Sequence, residues 1–290
     1  MKKILVTGSN GQLGRAIYEL YKNNEDIELI RTDVFESDGI RALDITDSEA
    51  VIRITEEVMP YAIINCAAHT GVDACETDVE NAYKINALGP RNLSIAAAKT
   101  GAKMVQISTD YVFAGDADTP YKEFDKPDPQ GVYGKSKLEG EEFVKQFADK
   151  YFIIRTAWLY GDGKNFVKTM LRLAETNDTL RVVGDQIGSP TSTVVLADII
   201  DNLLWTDNYG IYHGTCEGYC SWADFAEEIF RLAGKKVTVN HIATEEYPTP
   251  ARRPKYSVLE KFMLKINTGY VPKDWHAAIE EYMKWLSENN

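Results

Sequence analysis

Lys3-Ile4-Leu5-Val6-Thr7-Gly8-Ser9-Asn10-Gly11-Gln12-Leu13-Gly14 is the stretch on which the fold turns. A short apolar run stops at three glycines spaced GxxGxxG, and an amphipathic segment, Leu13 to Tyr21, follows at once. Where a strand passes through such a loop into a helix, unpaired backbone N–H groups and the positive end of the helix dipole face whatever binds there. Side chains at these positions would hold a phosphate off. Gly8 is therefore read as permitting the tight turn, Gly11 as admitting a pyrophosphate, and Gly14 as letting the helix pack against the strand. The spacing is one residue longer in its first half than the common GxGxxG dinucleotide fingerprint, so the placement between strand and helix carries more weight than the glycines. Gly8, Asn10, Gly11, Gln12, Leu13 and Gly14 are the expected loop residues of a dinucleotide site.

The same alternation continues outward. Strands are expected at Lys3 to Thr7, Glu28 to Thr32, Ala62 to Asn65, Lys103 to Ser108 and Tyr151 to Arg155. Helices are expected near Leu13 to Tyr21, Asp47 to Val58, Glu80 to Lys99 and Val132 to Phe147, from apolar residues at three- and four-residue spacing. Strand and helix in turn build a parallel sheet, so the fold class is α/β, a doubly wound Rossmann sheet. After about Trp158 the pattern shifts to helices near Phe166 to Glu175, Val194 to Leu204 and Trp222 to Ala233. A smaller α/β C-terminal substrate domain is expected there: residues 1–160, joined by about 190–214, form the dinucleotide-binding domain, and 161–290 mostly the substrate domain. Ala114 to Gln130, rich in Asp and Pro, reads as a mobile loop, and prolines at 248, 250 and 254 keep Tyr247 to Pro254 from being a helix interior.

Composition narrows the function. With 290 residues, 44% hydrophobic and 26% charged, the chain matches a globular protein of two lobes. No apolar run approaches the roughly 20 residues of a membrane span. The opening apolar stretch ends at Thr7, too short for a signal sequence, so a cytoplasmic location is expected. A net charge of −12 argues against a nucleic-acid binder, which needs clustered Lys and Arg. Cys66, Cys75, Cys216 and Cys220 form no CxxC pair and read as reduced thiols. Cys216, Cys220 and His213 fall short of a zinc set, and no metal is expected.

Asp33 stands 19 residues beyond Gly14, where a carboxylate accepts hydrogen bonds from adenosine ribose hydroxyls. Arg31 and Arg15 could instead neutralise a 2′-phosphate or be surface charges, so NADH and NADPH both stay open. Tyr133 and Lys137 lie four residues apart on one face of a helix, where an ammonium is expected to lower the phenol pKa and ready it for proton transfer. The strand ending at Ser108-Thr109-Asp110-Tyr111 delivers a hydroxyl to the carboxyl edge of the sheet, beside Tyr133.

These residues together resemble the extended short-chain dehydrogenase/reductase superfamily, over nearly the whole chain. Matched segments in order narrow the resemblance to the dTDP-4-dehydrorhamnose reductase family: Asn65 to Thr70 with Val72-Asp73, Ser108 to Phe113, Tyr133 to Glu141, Thr156 to Tyr160, Asn165-Phe166, Asp185-Gln186 with Gly188 and Pro190-Thr191, and Tyr247 to Pro254. The resemblance implies Thr109, Tyr133, Lys137 and Asn86 as the catalytic group. It implies Asp33, Asp44, Ile45, Ala67, Ala68, His69 and Thr70 along the cofactor, with Tyr133 and Lys137, and Val72, Thr109, Asp110, Tyr111, Tyr133 and Trp158 toward the sugar, Trp158 by stacking. Arg252 and Arg253 are candidates for the substrate diphosphate. The implied partner is a dTDP-linked 4-keto-6-deoxy sugar, reduced at C4 with NADH or NADPH. Tyr111 stands where a dehydratase needs its base, so elimination lacks a partner; an epimerase or a non-catalytic regulatory relative of methionine adenosyltransferase stays an alternative. Some family members dimerise through magnesium held by glutamates, one just after the third glycine; Arg15-Ala16 stand there, so that metal is not expected, and a homodimer is left open.

Overall fold

Ile4, Leu5 and Val6 have essentially no solvent exposure because strand β1 (Lys2–Thr7) runs through the middle of a seven-stranded parallel sheet. In the computed structural model, which describes residues 1–289, β1 lies between β2 (Ile27–Asp33) and β4 (Ala62–Asn65). β3 (Arg41–Ala42) flanks β2, while β5 (Lys103–Thr109), β6 (Tyr151–Thr156) and the strand Gly210–His213 complete the far side. The order β3-β2-β1-β4-β5-β6 reverses at β1/β4, and ligands of such sheets bind at the carboxyl ends around that switch point. Strands covered on both faces read as unbroken apolar runs, which is why β4 is buried throughout.

Helices α1 (Gln12–Tyr21) and α2 (Ser48–Val58) lie on opposite faces. Asp47 caps α2, its carboxylate accepting the N–H groups of Glu49 and Ala50. Two short helices, α3 (Val72–Cys75) and α4 (Val79–Tyr83), lead into α5 (Gly89–Thr100), and α6 (Val132–Phe147) follows β5. Val51, Ile54, Leu93 and Val144 from α2, α5 and α6 form one core with Leu5 and Ile63 of the sheet. The other core joins Ile17 of α1 to Ile4 and Val6, takes in the helix Thr193–Leu204, and continues without a break into the second lobe through Phe225, Trp275 and Ile279. In that lobe Thr179–Val183 pairs in parallel with Thr238–Ile242, and Phe166–Leu173, Trp222–Leu232 and Trp275–Asn289 are helical. No helix among the described residues is long and apolar enough to cross a membrane.

Two expectations are corrected. The single helix Glu80 to Lys99 is interrupted at Lys84–Leu88 by a π-helical turn, which widens the coil by a residue at the point where Asn86 faces the β4 edge. Ala114 to Gln130 is not a free loop. Tyr121 stacks on Phe113 at 4.4 Å, and its hydroxyl accepts the N–H groups of Gly115, Asp116 and Ala117. The buried Glu123 carboxylate accepts the N–H groups of His213 and Met263. Sequence periodicity could not show this, because the two amides that bind the Glu123 carboxylate lie 90 and 140 residues away.

Candidate active site

Gly8 begins the site. Its φ is +65°, in the region that costs a side-chain-bearing residue, and a Cβ there would lie 2.6 Å from the Ala67 nitrogen. The β1 and β4 ends thus approach as closely as only glycine allows. Gly11 caps α1 with extended backbone and no side-chain hydrogen bond, leaving the first helical N–H groups clear of protein side chains. A Cβ at Gly14 would strike the Gly8 carbonyl and Ser9, so this glycine lets the helix sit on the loop itself rather than on the strand. The cradle fits a dinucleotide pyrophosphate. Gly8→Ala is expected to weaken nicotinamide cofactor binding by about tenfold or more and to lower the melting temperature; titration followed by tryptophan fluorescence, with a thermal melt, checks both.

The remaining loop residues divide. The Gln12 amide oxygen accepts from Gly161 N–H at 2.9 Å and Asn165 Nδ2 at 3.1 Å, fastening the loop to the second lobe, while Leu13 is core. The Asp33 carboxylate, at the end of β2, accepts the N–H groups of Asn10 (2.9 Å) and Val34 (2.8 Å). Asp44 is exposed, whereas the Ile45 side chain is 5% exposed and packed under α5, so a ligand could meet only the edge of that residue. Ala67, Ala68 and His69 form a half-buried turn at the β4 edge, ending at exposed Thr70, with Val72 opening α3.

Asn86 holds that turn. Its side chain accepts His69 N–H at 2.8 Å and donates to the His69 carbonyl and to Ser136 Oγ, both at 3.1 Å. It makes no hydrogen bond to Tyr133 or Lys137 here, and it ties the β4 edge to α6. His69 Nδ1 lies 3.5 Å from Cys75 Sγ, which keeps the ring turned into the protein.

Thr109 ends β5, and its hydroxyl donates to Asp110 at 2.9 Å while accepting Tyr111 N–H at 3.2 Å. Asp110 is buried, and burial raises its carboxyl pKa to about 6. It therefore sits behind Thr109 and orients that hydroxyl instead of facing the sugar directly. Tyr111 meets Tyr133 edge-on, ring centroids 5.5 Å apart. That approach depends on Gly134, where a Cβ would collide with the Tyr111 carbonyl.

The Tyr133–Lys137 pair needs correction. Burial pushes the Tyr133 phenol well above its ordinary pKa, with the Thr109 hydroxyl pulling it back and Asp110 adding to the rise, and no lowering by Lys137 stands among the main causes. The Lys137 ammonium instead donates to the Ile107 carbonyl at 2.6 Å, and burial lowers its own pKa to about 8 against the upward pull of Glu141 and Cys66. Four-residue spacing put both on one helical face, but the lysine stem dips under the sheet edge. Below, Arg155 pairs with Glu141 at 2.6 Å, and Ser108 donates to the same carboxylate at 2.5 Å, in a nearly water-free network.

Distant segments of the chain meet over Tyr111. Arg253 pairs with Asp73 at 2.5 Å and donates to the Tyr111 hydroxyl at 3.2 Å, so its charge is already engaged. Arg252 is exposed, donates to Gln130 at 3.1 Å, and borders a groove of about 230 Å3 with Tyr247 and Lys255. Trp158 has φ +48°, and its indole is sandwiched: Trp222 stacks on one face at 3.5 Å, and Gly188 packs against the other, where a Cβ would come within 2.6–2.8 Å of Cε2, Nε1 and Cζ2. In this arrangement protein groups occupy the indole faces on which a sugar was expected to stack. The Arg253–Asp73 clamp and the Gly188 backing went unseen in the sequence, because each joins residues 30 to 180 positions apart.

Fold and site together define a nicotinamide-dependent oxidoreductase of the short-chain dehydrogenase/reductase type. A family profile described as "RmlD substrate binding domain" matches residues 1–288. A dTDP-4-dehydrorhamnose reductase of Aggregatibacter actinomycetemcomitans is 42% identical over 97% of this chain and 98% of its own. Among solved structures, a dTDP-4-dehydrorhamnose reductase of Clostridium acetobutylicum is 55% identical with a TM-score of 0.94, covering 98% of this chain and 99% of that one. One from Bacillus anthracis, in complex with NADP, is 44% identical with a TM-score of 0.92 over 98% and 100%. The chain belongs to the dTDP-4-dehydrorhamnose reductase family.

Proposed function

We propose that this chain reduces the C4 keto group of dTDP-4-dehydro-L-rhamnose to give dTDP-L-rhamnose. The observation that carries the reading is the convergence of the Gly8 cradle, the Thr109 hydroxyl and the Tyr133 phenol at one carboxyl edge of the sheet. A bound reduced nicotinamide supplies the hydride. Reduction in this direction needs a proton donor at neutral pH, and a phenol whose pKa is pushed up keeps its proton until an alkoxide, a far stronger base, develops beside it. Thr109 would hold the substrate oxygen by turning its one hydroxyl proton, given to Asp110 in this structure, toward the substrate. Arg252, which pairs with no carboxylate among the described residues, would meet the diphosphate, while Arg253 fixes Tyr111. Oxidation of added NADH or NADPH by the purified chain in the presence of dTDP-4-dehydro-L-rhamnose tests the reading; clean cofactor binding with no turnover would overturn it in favour of a regulatory role.

Lys137 sets a pH limit. Its ammonium is held below about pH 8 and lost above it, so kcat/KM is expected to fall on the alkaline side from about pH 8. A profile flat to pH 10 would remove its charge from the mechanism. The linkage runs the opposite way for stability: the unfolded lysine keeps its proton to higher pH than the folded one, so this group makes the fold more stable as pH rises from about 8 to its ordinary value of 10.5. Lys137→Met is expected to raise the melting temperature at pH 7 while removing most of the turnover, measured by calorimetry and cofactor oxidation.

A further inference from the structure

Helix α6 carries Tyr133 one residue past its start, and its own sequence holds that start poorly. The N-cap is Gly131, which has no side chain to accept a hydrogen bond, and the first turn has no acidic residue against the positive end of the helix. A helix end without an acceptor for its first N–H groups loosens, and Tyr133 would loosen with it. The acceptor comes from 56 residues upstream: Glu76 Oε1 takes the Val132 N–H at 2.9 Å. This is the one hydrogen bond of the Glu76 side chain among the described residues.

Gly131 lets the carboxylate approach. A Cβ built there would lie 2.7 Å from Glu76 Oε1, so a side chain would press the carboxylate off the amide. Glu76 directly follows α3, and α3 is fixed in its turn: Asp73 accepts the Ala251 N–H at 3.1 Å and pairs with Arg253, while Cys75 is buried. On the other side of Tyr133, the Gly134 backbone lies against the Tyr111 carbonyl and Pro129. Tyr133 is thus held between two backbone points, one set by Glu76 and one by Gly134. Proton transfer needs the phenol within hydrogen-bond reach of the reacting oxygen, and a misplacement of about 1 Å costs up to about a hundredfold in rate.

We propose that Glu76 is a positioning residue for the reaction: by capping α6 from across the fold, it fixes where the Tyr133 phenol stands. The proposal rests on the reading of Tyr133 as the proton donor. Steady-state cofactor oxidation by the full chain with dTDP-4-dehydro-L-rhamnose tests it. Glu76→Ala is expected to lower kcat about tenfold, with KM and NADH affinity moved by less than about twofold. Glu76→Gln keeps an oxygen that reaches the amide and should stay within about threefold of wild type. Glu76→Asp keeps the charge but falls one methylene short, and should lose as much as the alanine variant. In the Tyr133→Phe background Glu76→Ala should lower the residual rate no further, because the group it positions is gone, whereas general loosening would lower both backgrounds alike. A kcat for Glu76→Ala within about twofold of wild type, a glutamine variant slower than the aspartate one, or an equal loss in both backgrounds would overturn the anchor. If Glu76→Ala does not fold, the glutamine and aspartate variants decide by the same order. Should Tyr133→Phe lose its turnover while Glu76→Ala does not, the anchor falls and the proton-donor reading stands; a Tyr133→Phe variant at the wild-type rate would overturn that reading and the anchor with it.

Discussion

Tyr133→Phe is expected to lower turnover by about a hundredfold or more while NADH and NADPH still bind. The phenol is buried beside Tyr111 and within reach of Thr109, and its raised pKa makes it a stored proton. Phenylalanine keeps the ring, the edge-on contact and the volume, so the loss should fall on kcat with little change in the melting temperature. Stopped-flow cofactor oxidation gives the rate, and fluorescence titration the binding. Turnover within a few-fold of wild type would take the proton-donor role away from Tyr133. The expected retention of binding separates this result from that at Gly8, where the backbone itself is displaced.

Arg155→Met is expected to cost about 3–5 kcal/mol of folding stability. Arg155 is 2% exposed and Glu141 fully buried, and the guanidinium binds that carboxylate at 2.6 and 3.0 Å. Removing the cation leaves a carboxylate in the interior with the Ser108 hydroxyl as its remaining hydrogen-bond donor and the Lys137 charge at longer range. The double variant Arg155→Met/Glu141→Leu should regain much of the loss, because no unpaired charge then remains buried. Urea denaturation of the three proteins gives the comparison, and a double variant no more stable than the single one would show that packing, not charge, governs this layer. Phe113, which lies under the Arg155 guanidinium at 5.0 Å and stacks on Tyr121, should transmit part of the damage to the pinned 114–130 segment.

Where residues interact with near neighbours in the chain, the sequence was a good guide. The apolar runs at β1, β4, β5 and β6 follow from strands buried on both faces, and the helices at Val132–Phe147 and Trp222–Leu232 follow from apolar spacing. The π-helical turn at Lys84–Leu88 could not be read there, since its periodicity differs from that of an α-helix by a single residue over one turn. The two-residue strand Arg41–Ala42 is equally short for any alternation to register.

Gly8, Thr109, Tyr133 and Lys137 were singled out from the sequence alone, because a glycine loop after a strand, a hydroxyl at a strand end and a Tyr–Lys pair on a helix are each defined by local geometry. What those groups do to one another was decided by the tertiary structure. Lys137 turned to the Ile107 carbonyl, Asn86 to the His69 turn, Asp110 behind Thr109, and Trp158 into a sandwich between Trp222 and Gly188. The physical reason is one of range: backbone propensity and spacing act over a few residues, whereas desolvation and hydrogen-bond choice depend on which distant segments close over a side chain. The sequence determined where the cradle and the phenol lie; desolvation beside Thr109, Asp110 and Tyr111 determined that the phenol holds its proton.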